Sequence, residues 1–88
     1  MSYEKIHQKC ETLVSFEAGT KPRVKAFTWN NKRYQVEEQS LVVKAAKGEA
    51  TVWLFHVATK SASFKLRFDA DILQWWVEEL MWDNSLPH

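Results

Sequence analysis

Apolar and polar residues alternate with a period of two in two regions of the chain, and a turn divides each region. This alternation is typical of β-strands that bury one face. In the first region the turn is Asn30-Asn31, because asparagine tolerates the positive φ angles of a two-residue type I′ turn. The pattern therefore predicts a hairpin whose aromatic residues share the buried face. Its predicted pairs are Trp29–Lys32, Phe27–Tyr34 and Lys25–Val36.

The second region predicts another hairpin, with its turn centred on Lys60-Ser61. Every pair on one face is then apolar. A shift of one residue would place Phe64, Leu66 and Phe68 in water, so we expect this register to be well fixed. The predicted apolar pairs are Val57–Phe64, Phe55–Leu66 and Trp53–Phe68, and the opposite face pairs His56 with Lys65 and Leu54 with Arg67.

The segment between the hairpins, Ser40–Ala50, fits two structures. Its first part, Leu41-Val42-Val43, is typical of a strand. Its second part, Lys44-Ala45-Ala46-Lys47, also fits a helical turn that ends at Gly48.

The segment 71–82 also allows two structures. As a helix it would be capped by Asp71, with Gln74 completing a capping box. As a strand from Gln74 to Trp82 it would need a β-bulge near Glu78-Glu79, because the apolar residues change parity there. The composition of the segment does not decide between them.

Together these patterns predict one all-β, mainly antiparallel domain over residues 1–88, with five or six strands in meander order. A flat sheet of this size cannot cover its own apolar face, so we expect a curled sheet or a small open barrel. The predicted strands are residues 10–17, 23–29, 32–44, 51–58, 63–69 and 74–82. The predicted core is Val14, Phe16, Phe27, Trp29, Tyr34, Val36, Trp53, Phe55, Val57, Phe64, Leu66, Phe68 and Val77, with Trp75 or Trp76.

Length and cysteine content agree with a small domain of the reducing cytoplasm. Eighty-eight residues and 10.4 kDa suffice for a single core. Cys10 is the only cysteine, so an internal disulfide is excluded. The longest apolar run, Val52–Phe55, is far shorter than the roughly 20 residues of a membrane-spanning helix. The charged first twenty residues lack the apolar block of a signal peptide.

Charge is distributed unevenly along the chain. All twelve lysine and arginine residues lie within residues 1–67, whereas residues 68–88 contain five acidic residues and no basic ones. The two groups can balance each other within one fold and help it close. Alternatively, the basic part can form a binding face.

Four stretches of the chain resemble a small uncharacterised bacterial all-β domain, which is also similar to the C-terminal tail of some Y-family-polymerase-like DNA-damage proteins. The resemblance covers about residues 12–83 and implies a strand at the C-terminal end. It implies no catalytic residues. The stretches are Val14-Ser15-Phe16 with Pro22, residues 27–36, residues 64–69, and Trp76-Val77-Glu78 with Trp82-Asp83.

The residues that carry metal or phosphate chemistry are scattered. Zinc ligands normally come in close pairs, whereas only His7 and Cys10 are near each other. Phosphate loops need several glycines, and Gly19 and Gly48 stand alone. The pattern therefore predicts no metal and no cofactor. The remaining histidines are His56 and His88.

No catalytic set emerges either. The predicted register puts His56 beside Lys65 on the outer face, as a surface histidine. The adjacent acidic pairs Glu37-Glu38 and Glu78-Glu79 would point to opposite faces of a strand, so neither pair is expected to act jointly. We therefore expect a protein that is not an enzyme.

Two functions remain, and both are binding functions. The first is a protein-protein interaction module that docks through an exposed sheet edge or its acidic end, with another protein or a second copy as partner. The second is weak binding of single-stranded nucleic acid by the basic hairpin. The acidic candidates are Glu78, Glu79 and Asp83; the nucleic-acid candidates are Lys21, Arg23, Lys25, Trp29, Lys32 and Arg33.

Overall fold

The computed structural model describes residues 2–47 and 50–82, and this part of the chain is all-β and antiparallel, as predicted. It contains seven strands where five or six were expected. In the described ranges, no helix has the length and hydropathy needed to span a membrane. The strands are β1 (Ser2–Ser15), β2 (Arg23–Trp29), β3 (Lys32–Gln35), β4 (Glu38–Lys47), β5 (Ala50–Ala58), β6 (Ser63–Asp69) and β7 (Gln74–Trp82).

The sheet is curled into a half-barrel, and its two edges approach each other at one corner. The strand order is β3-β2-β1-β7-β6-β5-β4, so consecutive strands β3 and β4 occupy opposite edges. Only Val36 and Glu37 connect them. The Val36 amide donates to the Lys25 carbonyl at 3.0 Å, and the Glu37 amide donates to the Ala58 carbonyl at 2.8 Å. The connection thus bonds to β2 on one side and to the end of β5 on the other.

The predicted strand 32–44 is therefore two strands. Its first part pairs with β2 and its second part pairs with β5. A chain that passes from one edge of the sheet to the other must bend at the corner, and alternation of polarity does not reveal the bend. The remainder of Ser40–Ala50 is also extended: β4 continues through Lys47, so the helical turn over residues 44–47 is wrong. Gly48 lies outside the described residues.

Both predicted hairpins are confirmed with their registers. Asn30 and Asn31 have φ angles of 55° and 61°, as a type I′ turn requires. In the second turn, the Thr59 amide donates to the Ala62 carbonyl at 2.8 Å. The Thr59 hydroxyl oxygen also accepts the amide protons of Ser61 and Ala62. The observed pairs include Phe27–Tyr34, Trp29–Lys32, Val57–Phe64, Phe55–Leu66 and Trp53–Phe68.

The C-terminal segment is the predicted strand, and the helix alternative is wrong. β7 lies between β6 and β1 and closes the sheet beside Asp69. Lys65 pairs with Glu79 and the next residue, Leu66, pairs with Val77. Glu78 is therefore the extra residue of a β-bulge, at the predicted position. The bulge restores the inward parity of the apolar residues on both sides of it.

The start of the sheet departs from the prediction. β1 extends from Ser2 to Ser15 instead of residues 10–17. Phe16, which was assigned to the core, follows the end of this strand and is 74% exposed. Val14 is half-buried and lies outside the core cluster. The parity of Phe16 fits the core face, but the chain leaves the sheet before reaching it.

The core lies inside the curl. Trp75, not Trp76, points inward, and its ring centroid lies 5.0 Å from that of Phe55 and 4.8 Å from that of Phe68. Each large side chain of this cluster contributes about 1.5–3 kcal/mol when fully buried. The fully enclosed members are Cys10, Val24, Phe27, Phe55, Val57, Phe64, Leu66 and Val77, packed against partly buried Trp29, Tyr34, Val36, Trp53 and Phe68 among others.

Val24 is a core residue that simple alternation places on the wrong face. Leu13 pairs with Ala26, and the next residue, Val14, pairs with Val24. Lys25 is therefore an extra residue in β2. This irregularity shifts the parity of the strand and turns Val24 into the core.

Candidate functional site

β4 is the last strand of the sheet order, so its outer edge is left open in the described part of the chain. β4 pairs with β5 from Glu38 to Lys47, except that Ser40 is an extra residue between the pairs Gln39–Val57 and Leu41–His56. Beyond Gln39 no described strand pairs with the other side of β4. Its amide and carbonyl groups on that side are free to pair with another extended segment. Val43, near the middle, is 39% exposed. Residues 40–47 include Lys44 and Lys47 and no acidic residue.

One glutamine ends this open edge. The Gln39 side-chain oxygen accepts the Val24 amide proton at 2.9 Å, and its side-chain nitrogen donates to the Pro22 carbonyl at 2.9 Å. The carboxamide thus occupies the backbone groups at the start of β2. A segment that pairs with β4 must stop here, since these groups are already bonded.

A basic concavity of about 330 Å³ lies at the same corner. Three of the predicted nucleic-acid residues, Lys21, Arg23 and Lys25, line it. The turn before it is fixed by the Thr20 amide, which donates to the Glu17 carbonyl at 3.2 Å. With three cations and one carboxylate, the concavity favours an anionic group. Its complete lining is Ser15, Glu17, Thr20, Lys21, Arg23, Lys25 and Gln39.

The other three predicted nucleic-acid residues lie elsewhere. Lys32 and Arg33 are at the tip of the β2–β3 hairpin, and the Lys32 ammonium lies 5.2 Å from the centroid of the Tyr34 ring. Trp29 is partly buried against the core, and its indole nitrogen donates to the Gln8 side-chain oxygen at 2.7 Å. Four residue steps along β2 separate Lys25 from Trp29, about 13 Å at the usual strand rise. The six residues therefore do not form one surface.

The predicted acidic docking residues are engaged within the fold. Glu78 lies 2.6 Å from the His7 ring nitrogen and 3.8 Å from Arg67, and Glu79 lies 3.6 Å from the Lys65 ammonium. Because of the bulge, both carboxylates reach the outer face, which corrects the expectation that they point to opposite sides. The acidic end thus contacts a histidine of β1 and two basic side chains of β6. Asp83 lies outside the described residues.

An aromatic and charged cluster covers the outer face beside these carboxylates. The His7 ring stacks on Trp76 with centroids 4.8 Å apart, and the Arg67 guanidinium carbon lies 5.1 Å from the Trp76 ring centroid. The Arg67 Nε and Trp76 Nε1 atoms are buried and make no hydrogen bond. This packing explains why Trp76 is half-buried although it does not belong to the core.

The groups with reactive potential are kept apart. His7 lies on the outer face, whereas Cys10 is buried in the core. Burial raises the pKa of the Cys10 thiol above its ordinary value, and the contact with Thr12 offsets this in part. His56 pairs with Lys65, as predicted. Within residues 2–47 and 50–82, no three His, Cys, Asp or Glu side chains are grouped so as to hold a metal ion.

Sequence reasoning found the three cations of the concavity but missed Gln39 and the open edge of β4. The two lysines of residues 40–47, in a segment rich in aliphatic residues, were a usable signal for an edge strand, because lysines commonly protect such edges. The role of Gln39 gives no local signal, because its partners are 15 and 17 residues away along the chain.

Comparisons with family models, with curated proteins and with solved structures find no match for the chain. The resemblance to the bacterial β domain therefore stays a hypothesis.

Proposed function

We propose that this protein is a non-catalytic interaction module that binds an extended segment of a partner protein along the outer edge of β4. The observation that carries the proposal is the open side of β4 beyond Gln39. A segment added there would extend the sheet, and its backbone would supply the affinity while side chains supply selectivity.

Charge favours a different protein over a second copy as the partner. If two copies paired antiparallel through β4, the Lys47 end of one strand would approach the Gln39 end of the other. The end of β4 at residue 47 would then approach the concavity of Lys21, Arg23 and Lys25 in the second copy, and the sequence of residues 40–47 contains two lysines and no acidic residue. Like charges at this point oppose self-association, and lysines on an edge strand are a common protection against it.

The edge is also a better docking surface than the acidic end. Glu78 and Glu79 already contact His7, Arg67 and Lys65, so a partner would have to displace these contacts. Binding of single-stranded nucleic acid stays the second candidate. It is supported by the concavity alone, because Trp29 packs partly against the core and does not line the concavity.

Proline substitution at two neighbouring positions tests the edge. Successive residues of an antiparallel edge strand direct their amides alternately to the neighbouring strand and outward. Of Val43→Pro and Lys44→Pro, one therefore removes an amide that points outward and the other removes a bond to β5. Both side chains are exposed, so packing is little changed in either variant.

We expect the variant that loses the outward amide to keep its stability and lose partner binding. Binding is measured by photo-crosslinking in cells. A benzophenone side chain replaces Ala45 in the parent chain and in each proline variant. The same label at exposed Lys60 is the control position. A specific crosslinked protein in the parent chain, absent from the stable proline variant, supports the edge. The docking proposal is contradicted if the label at Lys60 crosslinks the same protein as strongly as the label at Ala45. It is also contradicted if crosslinking from Ala45 persists in the stable proline variant.

A further inference from the structure

We infer that the partner segment carries carboxylate groups directly after its docked strand and that Lys21, Arg23 and Lys25 bind them. This inference rests on the proposed function, since it names the chemistry of the segment that the β4 edge receives. It adds a recognition site for acidic side chains at one end of the edge.

The direction of the docked strand follows from the sheet. Every strand pair in the described residues is antiparallel. A segment antiparallel to β4 runs from the Lys47 end towards the Gln39 end, so its C-terminal side arrives at the corner. There the backbone groups of Pro22 and Val24 are already bonded to Gln39, and strand pairing must end. The next residues of the segment lie over the basic concavity.

The concavity has the charge and size for such residues. Its three cations outnumber its single carboxylate, Glu17, and its volume of about 330 Å³ is that of a small ligand cleft. Arginine binds carboxylates through two parallel hydrogen bonds, and the lysines add point charges. Lys44, within β4, contributes a further cation along the same path, where it also lies 5.7 Å from the Trp53 ring centroid. A docked acidic segment therefore meets complementary charge at its end and along its length.

The test uses amide chemical shifts of the isotopically labelled full chain and four probes. The first probe is a peptide of three Thr-Val repeats followed by three glutamates. The second has the glutamates before the repeats, and the third has glutamines in place of glutamates. The fourth is a short oligothymidylate, which presents phosphates without a strand. The three peptides are amidated, so that only the glutamates carry negative charge.

We expect the first peptide to shift amides of both β4 and residues 21–25 and to bind about ten-fold more tightly than the glutamine peptide at low salt. This advantage should disappear at high salt, because the contacts are solvent-exposed ion pairs. The peptide with glutamates first should show no advantage. Replacing Lys21, Arg23 and Lys25 together by glutamine should abolish the ten-fold difference. The same replacement at exposed Lys32, Arg33 and Lys60 changes the net charge equally and should preserve it.

The outcomes separate the two proposals. If the glutamate and glutamine peptides bind with equal affinity and shift amides of β4, the inference about carboxylate recognition is overturned. The proposal that β4 docks a strand then still stands. Shifts confined to residues 21–25 overturn strand docking and the inference that rests on it. Tighter binding of oligothymidylate than of the first peptide assigns the concavity to nucleic acid and also overturns the inference.

Discussion

The side-chain amide of Gln39 pairs with the backbone of Val24 as a peptide group of a neighbouring strand would. Its oxygen accepts the Val24 amide proton at 2.9 Å, while its nitrogen donates to the Pro22 carbonyl at the same distance. Val24 is almost completely buried, and a buried amide without a partner is costly. One side chain thus completes the corner where the two edges of the half-barrel meet.

We expect Gln39→Ala to lower the free energy of unfolding by about 1–3 kcal/mol, because it leaves the Val24 amide unsatisfied. Urea titration measures the change. Gln35→Ala is the matched control, since Gln35 is exposed on β3 and is expected to change stability by less than about 0.5 kcal/mol. Equal effects of the two substitutions would show that Gln39 does not hold the corner.

A pair of phenylalanines tests the core assignment. Phe55 is 1% exposed and packs against Trp75, so Phe55→Ala should cost about 3–5 kcal/mol or prevent folding. Phe16→Ala, in contrast, should change stability by less than about 0.5 kcal/mol, because Phe16 lies outside the sheet. The urea midpoints of the two variants, each compared with that of the parent chain, measure these changes in stability. A large loss of unfolding free energy in Phe16→Ala would show that Phe16 is a core residue after all.

Leu73 offers a stabilising substitution. It has a φ angle of 55° and is 76% exposed, so a branched apolar residue occupies the left-handed region without packing to compensate. Asparagine tolerates this conformation, and Leu73→Asn should raise the free energy of unfolding by about 0.5–1 kcal/mol. Ile72→Asn is the control, because Ile72 is also exposed, at 64%, and has no positive φ. A gain that is equal in both variants would point to solubility and not to backbone strain.

Cys10 should make stability depend on pH in the alkaline range. Burial raises the pKa of its thiol in the folded state, so the unfolded chain loses this proton first as the pH rises. The contribution of Cys10 is therefore complete below the ordinary thiol pKa of about 8.5 and declines above it, by at most about 1.4 kcal/mol per pH unit.

Urea midpoints of the parent chain and of Cys10→Ala, measured between about pH 7 and 10, isolate this effect from other titrating groups. The difference between the two chains should be constant at neutral pH and should shrink as the pH rises. Parallel curves over the whole range would mean that the thiol ionises as freely in the folded protein as in the unfolded one.

Local sequence signals predicted the two hairpins. The polarity pattern contains no signal for features that depend on residues far apart along the chain. The Asn30-Asn31 turn and the apolar pairs around Phe55 set their registers within a few residues, and both registers are observed. Lys25 illustrates the opposite case. An extra residue in β2 changes which side chains enter the core, and nothing in the local polarity marks it.

The candidate site was only half predictable for the same reason. Charge clustering identified Lys21, Arg23 and Lys25 from the sequence, and the structure places them around one concavity. Their separation from Lys32 and Arg33 depends on which end of the hairpin each residue occupies. The open side of β4 depends on the bend at Val36 and Glu37, which exists because two distant strands, β2 and β5, bond to it.

The pairing of β1 with β7 has a consequence for protein synthesis. Lys9 pairs with Trp76 and Ser2 with Trp82, so the two strands that are furthest apart along the chain lie side by side in the middle of the sheet. On the ribosome, β1 can form its hairpin with β2 early, yet its other side must wait until residue 82 has left the exit tunnel. Until then an apolar surface and a bare strand edge are exposed to other nascent chains. The chain is therefore most open to wrong association in the interval before β7 becomes available to pair with β1.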